Sequence, residues 1–350
     1  MKTVLIDFSH YADLCGFGEI ARNYMAELTK MDVPELHFVF ILPKKYRGTF
    51  GDKYDYIDRE DKAAQLKKYD KHIDLWHATD QQYHLRGGDS NTIQLLTVHD
   101  LNFLQEKKHV HKWRHILQLR HRIRHSDYLT TISHYVRKDI EQHGFLCGKP
   151  IEVIYNGINS DDDNPGERPD FVASDDEKFF FTVGQIREKK NFHTLVPMMK
   201  HFKDYKLYIC GDDHFKYAQS LRQLIADEGE GRVMLTGKIS DAHKIWLFRH
   251  AAAFLFPSRL EGFGIPVLEA MRYRCKVFSS RLSSLPEVCG EHADYWDDFA
   301  PEKMAEVVES GISTWQRESQ EATDCREYSL KFNYKNYAMQ YVELYKKLLK

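Results

Sequence analysis

The segment at residues 256–271, FPSRLEGFGIPVLEAM, constrains the fold of this 350-residue chain more than any other. The apolar run from Ala252 to Phe256 predicts a buried strand, and a glycine-rich turn and then a helix are expected after it. Backbone N–H groups and the helix dipole converge at such a turn and bind anions. Glu261 and Glu269 bracket the turn with seven residues between them. A carboxylate on either side suits a ligand with phosphates and hydroxyls, such as a sugar nucleotide; the alternative is an ordinary strand–turn–helix joint with two solvated glutamates.

Strand-like and helix-like segments alternate along the chain, which predicts parallel sheets with crossover helices. A polar, acidic stretch containing Gly and Pro at residues 156–166 separates two sets of strands and is the predicted linker. We therefore expect an α/β protein with a Rossmann-like domain at residues 1–158 and a second at residues 159–333. The amphipathic helix expected at residues 334–350 fits either domain. The predicted strands are Val4–Phe8, Leu36–Leu42, Asp74–Ala78, Ile93–Val98, Tyr128–Ile132, Glu152–Tyr155, Lys178–Val183, Lys206–Cys210, Val233–Thr236, Ala252–Phe256 and Lys276–Ser279.

The turn segment resembles the signature of family 4 glycosyltransferases, which are retaining enzymes with a GT-B fold of two facing Rossmann-like domains and a cleft between them. The family pattern is Pro-Ser-x-x-Glu-Gly-Phe-Gly-x-Pro-x-x-Glu-Ala, and residues 257–270 keep every fixed position. The resemblance implies a nucleotide-sugar donor on the second domain, with Glu261 on the sugar hydroxyls and Glu269 on the ribose. It also implies that backbone amides near four residues face the donor: Phe263, Gly264, Ile265 and Val267.

A second candidate phosphate-binding loop lies at residues 182–191, after a predicted strand. Asn191 is the predicted N-cap of the helix that follows. Basic residues at a helix N-terminus neutralise a leaving diphosphate without any proton transfer. The loop resembles the family's strand-Gly-x-x-x-x-basic-Lys-Asn segment, which implies that Gly184 and the pair Lys189 and Lys190 bind the donor, with Lys190 on the diphosphate. On charge alone, a solvated basic loop is the alternative.

This loop departs from the family pattern at one position. Many members have an Arg directly after the glycine, whereas this chain has Gln185. Arg187 is the candidate substitute.

In the first domain, two short motifs follow predicted strands. Gly16 and Gly18 come after the first strand, where glycines allow a close backbone approach to a ligand and a helix is expected to begin near Gly18; the alternative is a tight strand–helix connection. His99 and Asp100 follow a buried strand, at the end where α/β proteins place working residues. The resemblance implies that His99 contacts the donor sugar or the developing charge and that Asp100 orients the acceptor hydroxyl. A structural histidine satisfied by the backbone is the other interpretation of His99.

The segment from Lys107 to His125 is the strongest charge feature, with seven Lys or Arg residues, five histidines and no acid. A basic amphipathic helix is typical of membrane-surface elements, and a polyprenyl-linked acceptor fits such a surface. A solvated helix with an inward apolar stripe, formed by Val110, Trp113, Leu117 and Ile123, is the alternative. We expect no nucleic-acid partner, because the rest of the chain is not basic and no aromatic stacking platform is visible.

Composition and motifs narrow the cofactors and the compartment. Six scattered cysteines without metal or redox spacing predict reduced thiols, and no signal-peptide or membrane-span pattern is visible, so we expect a cytoplasmic protein, peripheral to the membrane if the basic segment binds it. We expect no metal and no cofactor, because neither a metal-holding Asp-x-Asp pair between a strand and a turn nor a zinc spacing occurs. Asp161–Asp163 lies in the expected linker and is predicted to be solvated.

The sequence therefore predicts a metal-independent, retaining hexosyltransferase that uses a nucleotide sugar and a saccharide or lipid-linked saccharide acceptor. His99, Asp100, Lys190 and Glu261 are its candidate catalytic residues. The loop variants resemble those of mannosyl- and rhamnosyltransferases of surface-polysaccharide synthesis, which favours mannose from GDP-mannose. The alternatives are a nucleotide-sugar epimerase of the same fold, a non-catalytic sugar-nucleotide binding protein and a dinucleotide-dependent oxidoreductase, which the missing third glycine after Gly18 disfavours.

Overall fold

The computed structural model describes residues 1–13, 16–82, 88–106, 109–159 and 162–350. It divides the chain into two compact units, each built on one parallel sheet. Unit 1 comprises Met1–Gly157 and Asn333–Lys350, and unit 2 comprises Ile158–Phe332.

Unit 1 contains a seven-stranded sheet in the order β3-β2-β1-β4-β5-β6-β7, and every pairing is parallel. Its central strands are apolar and shielded from solvent, as expected for a parallel sheet covered on both faces. Leu5, Val39 and Trp76 meet in one part of this core. The strands are β1 Lys2–Asp7, β2 Leu36–Leu42, β3 Asp55–Asp58, β4 Leu75–Ala78, β5 Ile93–Val98, β6 Tyr128–Thr131 and β7 Ile151–Val153.

The helices of unit 1 connect these strands. Ser133 starts one of them as a side-chain cap, since its Oγ accepts a hydrogen bond from the Val136 N–H. Asn333 caps the last helix in the same way. The helices are α1 Gly16–Leu28, α2 Lys62–Lys68, α3 Phe103–Glu106, α4 His109–Arg124, α5 His134–Gln142 and, from the end of the chain, α13 Tyr334–Leu348.

A buried tyrosine network attaches α13 to unit 1. The Tyr345 hydroxyl lies 2.7 Å from the Tyr24 hydroxyl on α1 and 2.6 Å from His77 Nδ1 on β4. The Tyr341 hydroxyl lies 3.0 Å from Thr97 Oγ1 on β5. Burial raises the pKa of Tyr24 and Tyr345 and lowers the pKa of His77 to about 3, so all three side chains are neutral at physiological pH.

Unit 2 contains a six-stranded parallel sheet in the order β10-β9-β8-β11-β12-β13. Its strands are β8 Phe179–Val183, β9 Lys206–Cys210, β10 Val233–Gly237, β11 Ala253–Phe256, β12 Val277–Ser280 and β13 Asp294–Trp296. Its helices are α6 Leu195–Met198, α7 Lys216–Glu228, α8 Asp241–His250, α9 Ile265–Arg272, α10 Leu285–Cys289, α11 Pro301–Thr314 and α12 Gln320–Leu330. The core between them is aromatic and aliphatic, with Phe180, Leu207 and Leu255 fully buried.

All eleven predicted strands are confirmed to within two residues at each end, but two further strands were not predicted. These are β3, an edge strand of the sheet in unit 1, and β13, an edge strand of the sheet in unit 2. Their sequences, DYID and DYW, contain too few apolar residues to show the run that identified the central strands. The prediction of parallel sheets with crossover helices is confirmed in both units.

The predicted linker is exposed at Asp162 and Asp163, as expected. The Asp162 carboxylate is also ion-paired, because it accepts hydrogen bonds from Arg272 Nε at 2.7 Å, Arg272 Nη2 at 2.6 Å and Arg326 Nη2 at 2.9 Å. Burial raises the pKa of Asp162, but the two arginines outweigh this effect and hold the pKa below its usual value. Gly166 packs so closely on α8 that a Cβ would lie 2.4 Å from the backbone nitrogen of Trp246. Asp161 lies outside the described residues.

The described cysteines are free thiols. Cys147 is an exposed free thiol, and four other free thiols are buried, which agrees with the predicted reduced state: Cys210, Cys275, Cys289 and Cys325. Cys15 lies outside the described residues.

Within the described ranges, no helix is both long enough and apolar enough to cross a membrane.

The tyrosine network generates a stability prediction. We expect Tyr345→Phe to weaken the docking of α13, because the Tyr24 hydroxyl and His77 Nδ1 each lose a buried partner at a cost of about 1–3 kcal/mol. Hydrogen exchange of α13 amides should then be roughly 5- to 150-fold faster. Met339→Leu, at an exposed position of the same helix, should leave exchange unchanged. Equal protection in both variants would contradict the role given to the network.

Candidate functional site

The loops after β8 and β11 meet at one ion pair. The two strands are parallel neighbours, so the loops at their C-terminal ends lie side by side. Lys190 ends a short 3₁₀ turn, Glu188–Lys190, in the first loop, and Glu261 lies in the second. Lys190 Nζ donates to Glu261 Oε1 at 2.6 Å, although the residues are 71 positions apart. Their side chains are only 11% and 13% exposed, so neither is a solvated surface group.

Neighbouring groups fix the orientation of this pair. Ser258 Oγ donates to the same Glu261 Oε1 at 2.6 Å, and the Glu261 N–H donates to Ser283 Oγ at 3.0 Å. The Lys190 ammonium lies 4.7 Å from the centre of the Phe256 ring, within cation–π range. The two loops are also joined by their backbones, because the Arg259 N–H donates to the Lys189 carbonyl at 2.8 Å.

The second glutamate of the signature has its own lysine. Glu269 lies on α9 and is 6% exposed, and Lys244 Nζ on α8 donates to Glu269 Oε1 at 2.7 Å. Lys244 was not predicted as a site residue. Its position in the first turn of α8, after the Ser240 cap, gives no indication in the sequence that it reaches the signature segment. The interpretation of both glutamates as solvated is therefore wrong for this structure.

The glycine-rich turn between the two glutamates starts α9. Gly264 has φ 115°, a left-handed conformation that L residues with side chains avoid. Ile265 is the first residue of α9, so its end of the helix presents the positive pole of the dipole. The Val267 N–H donates to the Gly264 carbonyl at 3.2 Å and so already has a partner. Phe263 is buried, with its ring 5.9 Å from that of Phe332.

Two other glycines bring the β8 loop close to its neighbours. A Cβ on Gly184 would lie 3.2 Å from Lys190 Cε, so the glycine leaves room for the lysine side chain. A Cβ on Gly211, which has φ 143°, would lie 1.8 Å from the Gly184 carbonyl oxygen. Gln185, at the position where many family members have an Arg, is exposed. Arg187, the candidate substitute, stacks on the Phe215 ring at 4.4 Å.

Asn191 occupies the N-cap position of the 3₁₀ turn Phe192–Thr194, as predicted, but it does not cap that turn. Its backbone is left-handed, with φ 60° and ψ 21°, and its side chain makes no capping hydrogen bond. A left-handed residue ends one helical turn and redirects the chain, which asparagine tolerates better than most residues. Asn191 therefore separates two 3₁₀ turns, Glu188–Lys190 and Phe192–Thr194, and places Lys190 at the end of the first.

The first glycine loop lies in unit 1, and the packing of the chain explains why one of its two glycines is needed. The helix α1 begins at Gly16, slightly earlier than expected. A Cβ on Gly18 would lie 1.9 Å from the Asp13 carbonyl oxygen, so this glycine is required by the packing of the chain on itself. Gly16 is exposed, and a Cβ there would meet nothing within 4 Å. The geometry of Gly18 matches the tight strand–helix connection, the alternative interpretation of this motif.

His99 and Asp100 also lie in unit 1, after β5. His99 is buried, and its Nε2 lies 2.8 Å from the Thr79 carbonyl, to which it donates because a carbonyl only accepts. Its ring and that of Phe17 form a T-shaped pair with a centroid distance of 4.9 Å. Asp100 Oδ1 accepts a hydrogen bond from the Asn102 N–H at 3.0 Å. The backbone bond of His99 matches the structural interpretation of this residue, while its ring still lines a small cavity.

The basic segment forms α4, with only part of its apolar stripe buried. Ile123 is fully buried, but Trp113 and Leu117 are each 61% exposed. The inward stripe of the solvated-helix interpretation is therefore wrong at these two positions. Exposed Arg114, His121 and Arg124 lie on or beside the same face at 100° per residue. Lys107 and Lys108, and the side chains of His109 and Val110, lie outside the described residues.

The site in unit 2 thus collects the groups that a phosphorylated sugar requires. Lys190 supplies a positive charge, the start of α9 supplies a helix dipole, and Glu261 and Glu269 supply hydroxyl acceptors. Within the part of the chain that the structure describes, no group of three or more His, Cys, Asp and Glu residues is arranged to hold a metal.

Two sequence profiles match this chain. The one described as Glycosyl transferases group 1 matches residues 163–332, and the one described as Glycosyltransferase Family 4 matches residues 24–162. The O-antigen chain mannosyltransferase RfbU of Salmonella typhimurium is 30% identical over 207 residues, which cover 58% of this chain and 56% of that protein. An uncharacterized 41.2 kDa protein in the cps region of Klebsiella pneumoniae is 26% identical over 265 residues, which cover 72% of this chain and 70% of the relative. The match with RfbU therefore spans about half of the length of that relative.

Solved structures share the fold of the whole chain. Sucrose-phosphate synthase from Thermosynechococcus elongatus superposes with a TM-score of 0.75 at 16% identity, covering 99% of both chains. Anabaena HepE in complex with UDP and glucose gives a TM-score of 0.74 at 14% identity, covering 99% of this chain and 100% of that chain. The two parallel-sheet units thus have the architecture of GT-B glycosyltransferases. Together with the two sequence profiles and the complete Glu-x₇-Glu signature, they show that this chain belongs to glycosyltransferase family 4.

The contact between Gly211 and Gly184 generates a prediction with a matched control. We expect Gly211→Ala to displace the loop that carries Lys190, because the new Cβ overlaps the Gly184 carbonyl. Gly237→Ala is the control, since Gly237 also has a positive φ, 75°, but a Cβ there meets nothing within 4 Å. The positive φ should lower the free energy of unfolding of both variants by about 1–2 kcal/mol. Overpacking should lower that of Gly211→Ala by about 1–3 kcal/mol more. The melting temperature of Gly211→Ala should be lower by roughly 2–12 °C than that of the control. Equal melting temperatures would contradict the close packing.

Proposed function

We propose that this chain is a retaining, metal-independent hexosyltransferase that transfers mannose from GDP-mannose to a saccharide or lipid-linked saccharide in surface-polysaccharide synthesis. The observation that carries the proposal is the pairing of both signature glutamates with buried or half-buried lysines around the start of α9. Two comparisons support the proposal: the chain belongs to family 4, and the mannosyltransferase RfbU is among its relatives.

The donor site is proposed to work by exchange of partners. Lys190 and Glu261 form an ion pair with each other at 2.6 Å. When a nucleotide sugar binds, the diphosphate becomes the partner of Lys190, with Lys189 beside it, and the sugar hydroxyls become the partners of Glu261. Glu269, oriented by Lys244 at 2.7 Å, accepts a hydrogen bond from the ribose. Each new contact is a charge-assisted hydrogen bond, which is stronger than a neutral one.

The chemical step follows from this arrangement. The bond between the anomeric carbon and the diphosphate oxygen breaks, and Lys190 and the positive end of α9 stabilise the negative charge of the leaving group. The acceptor hydroxyl attacks on the same face of the sugar, and the leaving phosphate oxygen takes its proton. Catalysis is then electrostatic and positional. Because Lys190 and the helix dipole supply the positive charge, we propose that no divalent metal is needed.

Unit 1 is proposed to carry the acceptor side. His99 and Asp100 lie after β5, at the C-terminal edge of the parallel sheet, where open α/β sheets bind ligands. Asp100 is half-buried and lies at the surface of the unit. We propose that it orients the acceptor hydroxyl, while the buried ring of His99 contacts the donor sugar.

The donor is tested by a thermal-shift panel with GDP-mannose, UDP-glucose and dTDP-rhamnose, each measured with and without EDTA. GDP-mannose at 100 times its dissociation constant should stabilise the chain by about 2.7 kcal/mol. Incubation with GDP-mannose and no acceptor separates this proposal from an epimerase, which would release an isomeric nucleotide sugar. A stabilising shift that disappears with EDTA would contradict metal independence, and no shift with any of the three compounds would contradict the donor site.

Substitutions at the ion pair test the residue roles. We expect Lys190→Ala to lower kcat for mannosyl transfer by about 10²–10³-fold, because the leaving diphosphate loses its cation. Glu261→Gln should raise KM for GDP-mannose and lower kcat, while the dissociation constant for GDP stays within about twofold, because the carboxylate faces the sugar and not the nucleotide. Lys200→Ala removes an exposed ion pair with Glu228 in the same unit and should leave all three quantities unchanged. Near-normal transfer by both Lys190→Ala and Glu261→Gln would contradict the proposal.

We also propose that α4 holds the protein on the inner face of the cell membrane. The specific observation is that Trp113 and Leu117 are 61% exposed one helical turn apart, on a helix whose sixteen residues include no acid. Apolar side chains of this size insert into the boundary of a bilayer, and cationic neighbours such as Arg114 and Arg124 are attracted to anionic lipid. Such a position would bring the enzyme to a polyprenyl-linked acceptor.

Vesicle binding tests this surface. We expect the chain to bind vesicles that contain phosphatidylglycerol more tightly than vesicles of phosphatidylcholine alone, and Trp113→Ser with Leu117→Ser to weaken binding by about tenfold or more. The control carries Met234→Ser and Leu282→Ser, which remove two exposed apolar side chains from unit 2. Equal binding by both double variants would show that α4 is not the membrane surface.

A further inference from the structure

A small cavity in unit 1 lies at the C-terminal ends of β1, β4 and β5, within a unit that contains neither Lys190 nor Glu261. Its volume is about 10 Å³, which is the size of one water molecule or one hydroxyl group. Its lining combines polar and aromatic groups: His10, Phe17, Thr79, Asp80 and His99. The carboxyl ends of parallel strands are where open α/β sheets bind ligands, so the groups that line this cavity are candidates for substrate contact.

Asp80 is the unusual member of this lining. It is 1% exposed, and aspartate is almost never so deeply buried unless it is paired. Its Oδ1 accepts a hydrogen bond from the Gln82 N–H, but its Oδ2 is buried and has no hydrogen-bond partner among the residues that the structure describes. Burial raises the pKa of Asp80, and nearby His99 counteracts this only in part. A buried carboxylate oxygen without a partner is costly, so its retention needs a reason outside stability.

His10 lies across the cavity from Asp80. Its Nδ1 is 2.6 Å from Asp13 Oδ2, and its ring stacks on Phe17 at a centroid distance of 5.4 Å. These contacts direct its Nε2 towards Asp80 Oδ2 at 3.9 Å, which is too long for a hydrogen bond. One oxygen atom about 2.8 Å from each side fits across this gap. His10 and Phe17 are both half-buried, so the cavity is covered by side chains that reach the surface.

We propose that Asp80 Oδ2 binds one hydroxyl of a saccharide substrate, with His10 Nε2 beside it; this inference rests on the proposed glycosyl transfer. A hydroxyl fits because it donates to the carboxylate and fills a space that has room for one oxygen. The remainder of the sugar lies over His10 and Phe17, whose ring faces suit the C–H groups of a pyranose. The hydroxyl belongs either to the donor sugar or to the acceptor, and Asp80 fixes the orientation of that sugar.

The test compares Asp80→Asn with Asp58→Asn, a matched control in the same unit. Asp58 is 3% exposed, but both of its oxygens have partners in Arg47 and Gln65. One arm measures dissociation constants for GDP and for GDP-mannose, or for the nucleotide sugar that the thermal-shift panel selects. A second arm measures KM for a mannose-terminated oligosaccharide acceptor and the rate of donor hydrolysis in its absence.

We expect Asp80→Asn to weaken one saccharide by about 10- to 100-fold, the effect of losing a hydrogen bond to a charged group. Weaker binding of GDP-mannose, with unchanged binding of GDP, assigns the hydroxyl to the donor. A raised acceptor KM, with unchanged donor binding and hydrolysis, assigns it to the acceptor. The melting temperature of Asp80→Asn should fall by less than that of Asp58→Asn, because the native oxygen lacks a protein partner.

Normal values in both arms would overturn the inference and leave the proposed function standing. The same holds if Asp80→Asn weakens the binding of GDP, GDP-mannose and acceptor alike, since that result indicates a structural role. If the wild-type chain binds no nucleotide sugar, the proposed function itself is contradicted. This outcome differs from failure of the inference, because the wild type and not only the variant then lacks binding.

Discussion

The ion pair between Lys190 and Glu261 determines how the two halves of the donor site meet. Its partners come from loops that are distant in sequence and adjacent in space, because β8 and β11 are parallel neighbours. The backbone bond from Arg259 to Lys189 and the hydroxyl of Ser258 hold both loops in the same register. The sheet therefore creates the site, since a strand order in which β8 and β11 were not neighbours would separate the lysine from the glutamate.

The same pair adds little to stability. Removing two charges from water costs several kcal/mol per ion, and their attraction offsets this only when the geometry is good. Gly184 and Gly211 add a further cost, because ordering a glycine removes more backbone freedom than ordering other residues; Gly184 leaves space for Lys190, and Gly211 leaves space for the Gly184 carbonyl. Asp80 in unit 1 follows the same principle, with a buried oxygen that lacks a described partner. Both units thus accept a local cost at the carboxyl ends of their strands, and such costs are typical of sites that bind ligands.

The sequence predicted the features that depend on local pattern, and it missed those that depend on distant partners. Central strands such as β8 and β11 are apolar runs, whereas the edge strands β3 and β13 contain polar residues, show no such run and were missed. The signature identified Glu261 and Glu269, but Lys244 reaches Glu269 only through the packing of α8 on the sheet. Asp80 could not be selected from the sequence, because only the fold reveals that its Oδ2 is buried without a partner. The direction of Trp113 and Leu117 likewise depends on how α4 packs.

A crystal structure of the chain with its intact nucleotide sugar tests the central claim most directly. We predict that the Lys190 ammonium leaves Glu261 and lies within about 3 Å of a diphosphate oxygen. Glu261 should then accept hydrogen bonds from sugar hydroxyls, and Glu269 should accept one from the ribose while it keeps Lys244. A complex in which the nucleotide sugar binds elsewhere, with the pair between Lys190 and Glu261 still intact at 2.6 Å, would contradict it.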